Sequence, residues 1–271
     1  MAAAIEQGAR VWRRRGRGAQ LAVWGAWLVG AAVFVACAQL ISDKTIWAFV
    51  TDAPTQAADL GVRMVPPDWG FIRLLWRPLW DTINIATIGT ALAIVVAIPV
   101  AYCAARNTTP SAALVRPVAL FVIVASRSIN SLIWALMLVV IVGPGVLAGI
   151  LAIGLRSIGF CAKLLYEAIE EIDEGQVEAV RATGASRAQV TAYGIVPQVL
   201  PAFAGISVFR WDINIRESTV LGLVGAGGIG LPLNAALTTL AWTQVSLILL
   251  IIIATVIVSE WVSAKVRHAI I

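Results

Sequence analysis

What this sequence lacks most is charge. Asp, Glu, Lys and Arg make up 13% of its 271 residues, while 60% are apolar. A soluble domain carries about 25% charged and about 45–50% apolar residues. So few charges cannot cover a soluble surface of this size, and a disordered chain needs the opposite balance. Histidine is almost missing as well. His268 stands alone near the end, which removes His-based triads and most zinc sites. Cys37, Cys103 and Cys161 fall in apolar runs without the spacing of a ligand set or a disulfide framework, and read as packing residues. No G-x-x-x-x-G-K-[ST] string occurs, so the chain carries no P-loop of its own. The expectation is an all-α polytopic membrane protein with no metal site, no cofactor of its own and no catalytic residues.

What is present is a series of long apolar runs. Residues 18–42 contain no charge over 25 positions, more than the roughly 20 needed to cross a bilayer. A cleavable leader has a shorter apolar core of about 7–15 residues, so this run reads as a retained first span. Before it, residues 1–17 hold Arg10, Arg13, Arg14, Arg15 and Arg17. A basic cluster ahead of an apolar run suits an anionic cytoplasmic leaflet, not nucleic acid. Residues 43–81 hold four Lys/Arg and five Asp and read as an extracytoplasmic loop. Pro66 and Pro67 break any helix there. After them, Trp76 and Trp80 alternate with Arg73 and Arg77 over 71–80, the pattern of an interfacial helix.

Further spans are predicted over 82–105, 117–141, 146–168, 196–220 and 238–259, giving six transmembrane helices. A solvated segment, 169–195, separates the fourth and fifth, and a Gly-rich outer loop covers 221–237. Six spans place both termini on one side. The basic start, the Arg106–Arg116 connection and the 260–271 tail with Lys265 and Arg267 then share it, and the positive-inside rule makes that side cytoplasmic.

Gly225, Gly227 and Gly230 match G-x-G-x-x-G by spacing. A dinucleotide site needs a strand before the glycines and an acid about 20 residues on. Here an apolar span precedes them and the next acid is Glu260. A flexible or re-entrant loop is the better reading.

Residues 169–195 differ in kind, with Glu170, Glu171, Asp173, Glu174, Glu178, Arg181 and Arg187. A helix through Glu178, Ala179 and Val180 meets Gly184, where it can break. A second short helix then leads to Pro197, a residue suited to the start of a span. Two short helices between spans form a knob that can pass force from a cytoplasmic partner; an ordinary connecting loop is the plainer alternative.

This stretch resembles the EAA loop of permease subunits from binding-protein-dependent ABC importers. That pattern is E-A-A, three residues, Gly, nine residues, I-x-L-P. Glu178, Ala179, Gly184 and Pro197 match in register, Val180 and Val196 are mild changes, and Gly194 departs from the isoleucine. The strings R-A-T-G-A (181–185), Y-G-I-V-P-Q-V-L-P (193–201) and N-I-R-E-S-T-V-L-G-L-V-G-A-G-G-I-G (214–230) are similar to the phosphonate-type subgroup, whose members import phosphonates, phosphite or phosphate. The resemblance covers the chain from about residue 80 onward.

The resemblance implies a coupling helix pair in which Glu178, Ala179, Gly184 and Pro197 dock on a separate P-loop ATPase dimer. ATP and Mg are then bound by that partner. An extracytoplasmic substrate-binding protein and a second permease, the same chain or a paralogue, complete the assembly in a bacterial cytoplasmic (inner) membrane. From the residues alone, an ion-coupled secondary transporter or channel for small anions is the alternative, although the inverted repeat common in such proteins is not evident.

The few charges inside the predicted spans are mostly arginines. A charge at mid-membrane costs about 2.5–3.5 kcal/mol on insertion scales, so it turns to an interior or a cavity. Arg127, Arg156 and Arg210, with Asn130 and Asn214 as neutral partners, are predicted to line a path for a small oxyanion. Guanidinium forks match such oxygens bidentately. Asp212, Arg216 and Glu217 are assigned to a gating or structural ion pair, Asp212 and Arg216 being spaced i,i+4. The competing reading is that all these charges form internal salt bridges or snorkel to an interface.

Overall fold

A computed structural model describes residues 16–270, which form helices and no strand. Arg10, Arg13, Arg14 and Arg15 of the basic tail lie outside the described residues. The chain divides into two units after Asp59.

The first unit holds α1 (Arg17–Lys44) and most of α2 (Trp47–Arg63). Trp24, Trp27, Phe34 and Leu40 of α1 are exposed, and the helix is apolar on every face. Such a helix belongs in lipid. The 43–81 stretch was expected to be a loop with a helix only over 71–80, yet α2 fills its first half. Thr51, Thr55 and Asp59 recur every four residues in α2, with Asp52 and Gln56 beside them, so the polar residues share one broad face of the helix.

The second unit begins in the last turn of α2. Asp68 accepts from the Gly70 amide at 3.1 Å and opens a short 3₁₀ turn, Trp69–Phe71. This turn runs directly into α3 (Ile72–Ala104). Residues 72–80 are therefore the first turns of a span and not a separate interfacial helix. At 33 residues α3 is about 50 Å long at about 1.5 Å per residue, well beyond a bilayer core. Its mid-section packs along α6 (Val146–Glu170) through small residues. Ala86, Gly89, Ala93 and Ala97 are buried on α3, as are Gly149, Ala152 and Gly154 on α6. A Cβ on Gly89 would lie 2.9 Å from Ile153 Cγ2. Close backbone approach at small residues is how helices associate in lipid.

The span expected over 117–141 is not one helix. It is α4 (Val115–Ser128) and α5 (Ser131–Val142), bent by 89°. Ser128, Asn130 and Ser131 interrupt the apolar run, and Asn130 caps α5 by accepting from the Leu132 amide at 3.1 Å. An N-cap residue starts a new helix where an apolar one would have continued the old. Counting this pair as one span, six segments are long and apolar enough to cross a membrane among the described residues.

After α6 come α7 (Glu174–Ala182) and α8 (Arg187–Val190), then a π-helical turn, Thr191–Ile195, and α9 (Val196–Leu221). The Gly-rich stretch follows, with Gly225, Gly227 and Gly228 at φ of +86°, +87° and +77°. It contains a short helix, α10 (Gly230–Thr238), before α11 (Trp242–Ile270). The last helix thus continues through most of the expected 260–271 tail.

Candidate functional site: a charged network between helices and a helix pair at one end

Arg210, Asn214 and Glu217 stand at i, i+4 and i+7 on α9, one face of one helix. That face meets α3 and α6. Arg210 is 2% exposed and Asn214 0%. Arg210 Nε donates to Ser157 Oγ at 2.9 Å. Asn214 Nδ2 donates to Thr90 Oγ1 at 2.7 Å and to Ser157 Oγ at 3.1 Å, and Ser157 Oγ donates to Asn214 Oδ1 at 3.2 Å. The Thr90 hydroxyl itself donates to the Ala86 carbonyl at 2.6 Å. The Arg210 guanidinium also lies 5.0 Å from the Phe160 ring centre, a cation–π contact.

Glu217 closes the network. Its Oε1 accepts from Arg156 Nη1 at 2.8 Å and from Arg210 Nη2 at 3.5 Å. The sequence reading grouped Glu217 with its neighbour Arg216, but adjacent helical residues point about 100° apart and do not meet. Arg216 instead bonds Asp212 Oδ2 within α9. Ser259 on α11 donates to Asp212 Oδ1 at 2.8 Å and ties that pair to the last helix. A buried charge without its partner is strongly destabilising, so each of these acids fixes an arginine in place.

Asn130 joins the edge of the network, its Oδ1 accepting from Ser131 Oγ at 3.3 Å, whereas among the described residues no hydrogen bond links Arg127 to it. Arg127 is exposed in the last turn of α4. Its stem lies against α6 where a Cβ on Gly159 would be 2.9 Å from Arg127 Cγ. The same Asn130 oxygen caps α5 by accepting from the Leu132 amide, and Ser131 Oγ in turn accepts from Arg156 Nη1 at 3.3 Å. The sequence reading missed Thr90, Ser157, Ser131 and Ser259. They are small hydroxyls in apolar runs, and only Ser157, adjacent to Arg156, and Ser259, adjacent to Glu260, have a charged neighbour to mark them.

At the opposite end of α9, α7 and α8 form a corner. Asp173 caps α7 by accepting from the Gly175 amide at 2.9 Å. Ser186 and Gln189 form a reciprocal capping box on α8. Gly184, between the helices, has φ +81°, a conformation glycine adopts without a Cβ penalty. Gln198 of α9 accepts from the Asp173 amide at 2.9 Å and donates to the Gly194 carbonyl at 2.7 Å, stapling the corner to the span. Val177 is buried beneath α7, whereas Glu178, Ala179 and Gly184 face outward. A Cβ on Gly194 would lie 3.5 Å from Val177 Cα. The glycine that departs from the general loop pattern is the point where α7 lies down on the chain leading to α9. Pro197 lies in the first turn of α9.

Among the described residues no group of three His, Cys, Asp or Glu is placed to hold a metal ion. Long apolar helices, one of them a bent pair, around a charged core define a polytopic α-helical membrane protein. Residues 93–268 match the family described as the binding-protein-dependent transport system inner membrane component, and the chain belongs to that family. It is an integral inner-membrane protein of a transport-component family. It is 44% identical over 210 residues to the phosphite transport system permease protein PtxC of Stutzerimonas stutzeri, covering 78% of this chain and 76% of that protein. It is 37% identical over 210 residues to the phosphate-import permease protein PhnE of Mycolicibacterium smegmatis, covering 77% of this chain and 39% of that protein. Its fold matches a chain of the inward-facing MetNI methionine ABC transporter with a TM-score of 0.66 at 23% identity, covering 75% of this chain and 99% of that one.

Proposed function

We propose that this chain is the permease subunit of an ATP-driven importer for phosphonate or a related phosphorus oxyanion, phosphite or phosphate. The similarity to the phosphite permease over 78% of the chain carries this reading. The excess of arginine inside the spans supports it: Arg127, Arg156, Arg210 and Arg216 against Asp212 and Glu217. A dianion, with its charge spread over several oxygens, complements such a site.

In this reading α7 and α8 are the coupling pair, with Glu178, Ala179 and Gly184 turned toward a separate ATPase dimer and Pro197 at the root of the span. ATP and Mg belong to that partner. Both termini lie on the cytoplasmic side with the coupling pair, and the Gly-rich loop faces the substrate-binding protein. A second permease subunit completes the pathway. The staple through Gln198 means that a push on α7 is delivered to α9, the helix that carries Arg210, Asn214 and Glu217. Closure of the ATPase dimer thereby reaches the arginines, and the pathway alternates its access.

Neutralising Arg127, Arg156 and Arg210 singly to Gln tests the pathway role. Phosphite uptake by the reconstituted complex is expected to lose affinity or rate in these variants, with assembly and basal ATPase activity retained. Unchanged uptake kinetics in all three would sink it.

A further inference from the structure

Glu217 is the least settled member of the charged network. One oxygen, Oε1, takes both guanidiniums, while Oε2 is buried with no hydrogen-bond partner among the described residues. A desolvated acceptor left unpaired carries a penalty, so this carboxylate is held less firmly than its two ion pairs suggest. The arginines differ too. The Arg210 side chain is 3% exposed and anchored independently by Ser157 and Phe160. The Arg156 side chain is 30% exposed, and beyond Glu217 its hydrogen bond is to Ser131, at 3.3 Å. The network is thus fixed at its inner end and open at its outer end. Ser131 begins α5 just past the 89° bend, so the outer end also touches a jointed element.

We propose that Glu217 is the resident counter-anion of the arginine site and that the cargo oxyanion binds by exchanging with it on Arg156 and Arg210. The inference rests on the oxyanion reading above. A carboxylate and a phosphorus oxyanion offer a guanidinium the same pair of oxygens. With Glu217 in place, two arginines share one negative charge. An incoming dianion satisfies both arginines and leaves Glu217 free to turn away. A single carboxylate such as acetate brings no more charge than the group it must displace, and Glu217 has the advantage of tethering, which acts as a high local concentration. Glu217 therefore determines specificity by excluding monoanions. It touches no reacting atom and acts through the two arginines.

The experiment uses the assembled permease–ATPase complex in nanodiscs without the binding protein, with inorganic phosphite and acetate as probes in calorimetric titration. Glu217→Gln is expected to tighten phosphite binding by about tenfold, as one tethered competitor is removed, and to let acetate compete for the site. Phosphite affinity unchanged or weakened in an assembled Glu217→Gln complex, with acetate still excluded, would overturn the proposal. Glu217→Asp keeps the charge on a shorter arm and decides the matter if the Gln variant does not assemble. Its phosphite affinity is expected to rise by a smaller amount; no rise contradicts the exchange. Arg156→Gln and Arg210→Gln in the same titration separate the two claims. If they weaken phosphite binding and Glu217→Gln does not tighten it, the counter-anion role falls alone. If neither arginine matters, the oxyanion path falls with it.

Discussion

Asn214 is fully buried and bonds α3 and α6 at once, through Thr90 and Ser157. Its amide sets the rotamer of Ser157, and Ser157 in turn accepts from Arg210. Replacing Asn214 by Leu keeps the branched shape of the side chain and removes its bonds to Thr90 and Ser157. Such hydrogen bonds inside membrane proteins are each worth about 0.6–2 kcal/mol, so Asn214→Leu is expected to lower the melting temperature of the purified complex by several degrees. An unchanged melting temperature would mean that the network is not holding the helices. The arginines were legible in the sequence because charge in an apolar run is conspicuous. Their partners were not. Arg156 and Glu217 are brought together from two helices, and no spacing rule links them. The i,i+4 pair of Asp212 and Arg216 was readable because both sit on one helix. Grouping Arg216 with Glu217 ignored the same rule.

At the scale of elements, the long spans followed from run length alone, since an uninterrupted apolar stretch has few other structures open to it in lipid. The break between α4 and α5 did not follow, because the run remains apolar on average across Ser128, Asn130 and Ser131. Cap residues inside a hydrophobic stretch were the signal that pointed to it. The join of residues 71–80 to α3 was hidden for the opposite reason, as tryptophans and arginines mimic an interfacial helix. Gly194 marks a further element-scale constraint. A methyl group there makes ordinary contact at 3.5 Å with Val177, whereas the branched side chain usual in the loop pattern extends into α7. Gly194→Ala is expected to transport normally. Gly194→Ile is expected to lift α7 from its seat and to lose uptake several-fold while ATPase activity persists. Equal uptake in the two variants would show that the seating of α7 does not matter.

At the scale of the whole molecule, α9 joins the α7–α8 corner at one end to the charged network further along its length. The α7–α8 corner is stapled to the helix that carries the arginine face, so under the proposed function motion imposed at Glu178 and Gly184 would arrive at the proposed cargo site. Sequence patterning exposed both parts, because an acidic amphipathic segment and buried arginines each stand out from 60% apolar composition. It did not expose the mechanical link, which depends on Gln198 reaching Asp173 across 25 residues. The most direct measurement is ATP-dependent phosphite uptake into proteoliposomes that hold this chain with its ATPase and binding protein, compared between the native sequence and Glu178→Lys. The account predicts uptake that requires ATP, and its loss in Glu178→Lys, together with Gly184→Leu, while membrane insertion is unchanged. Uptake that needs no ATP, or that proceeds at the native rate in both variants, would contradict it.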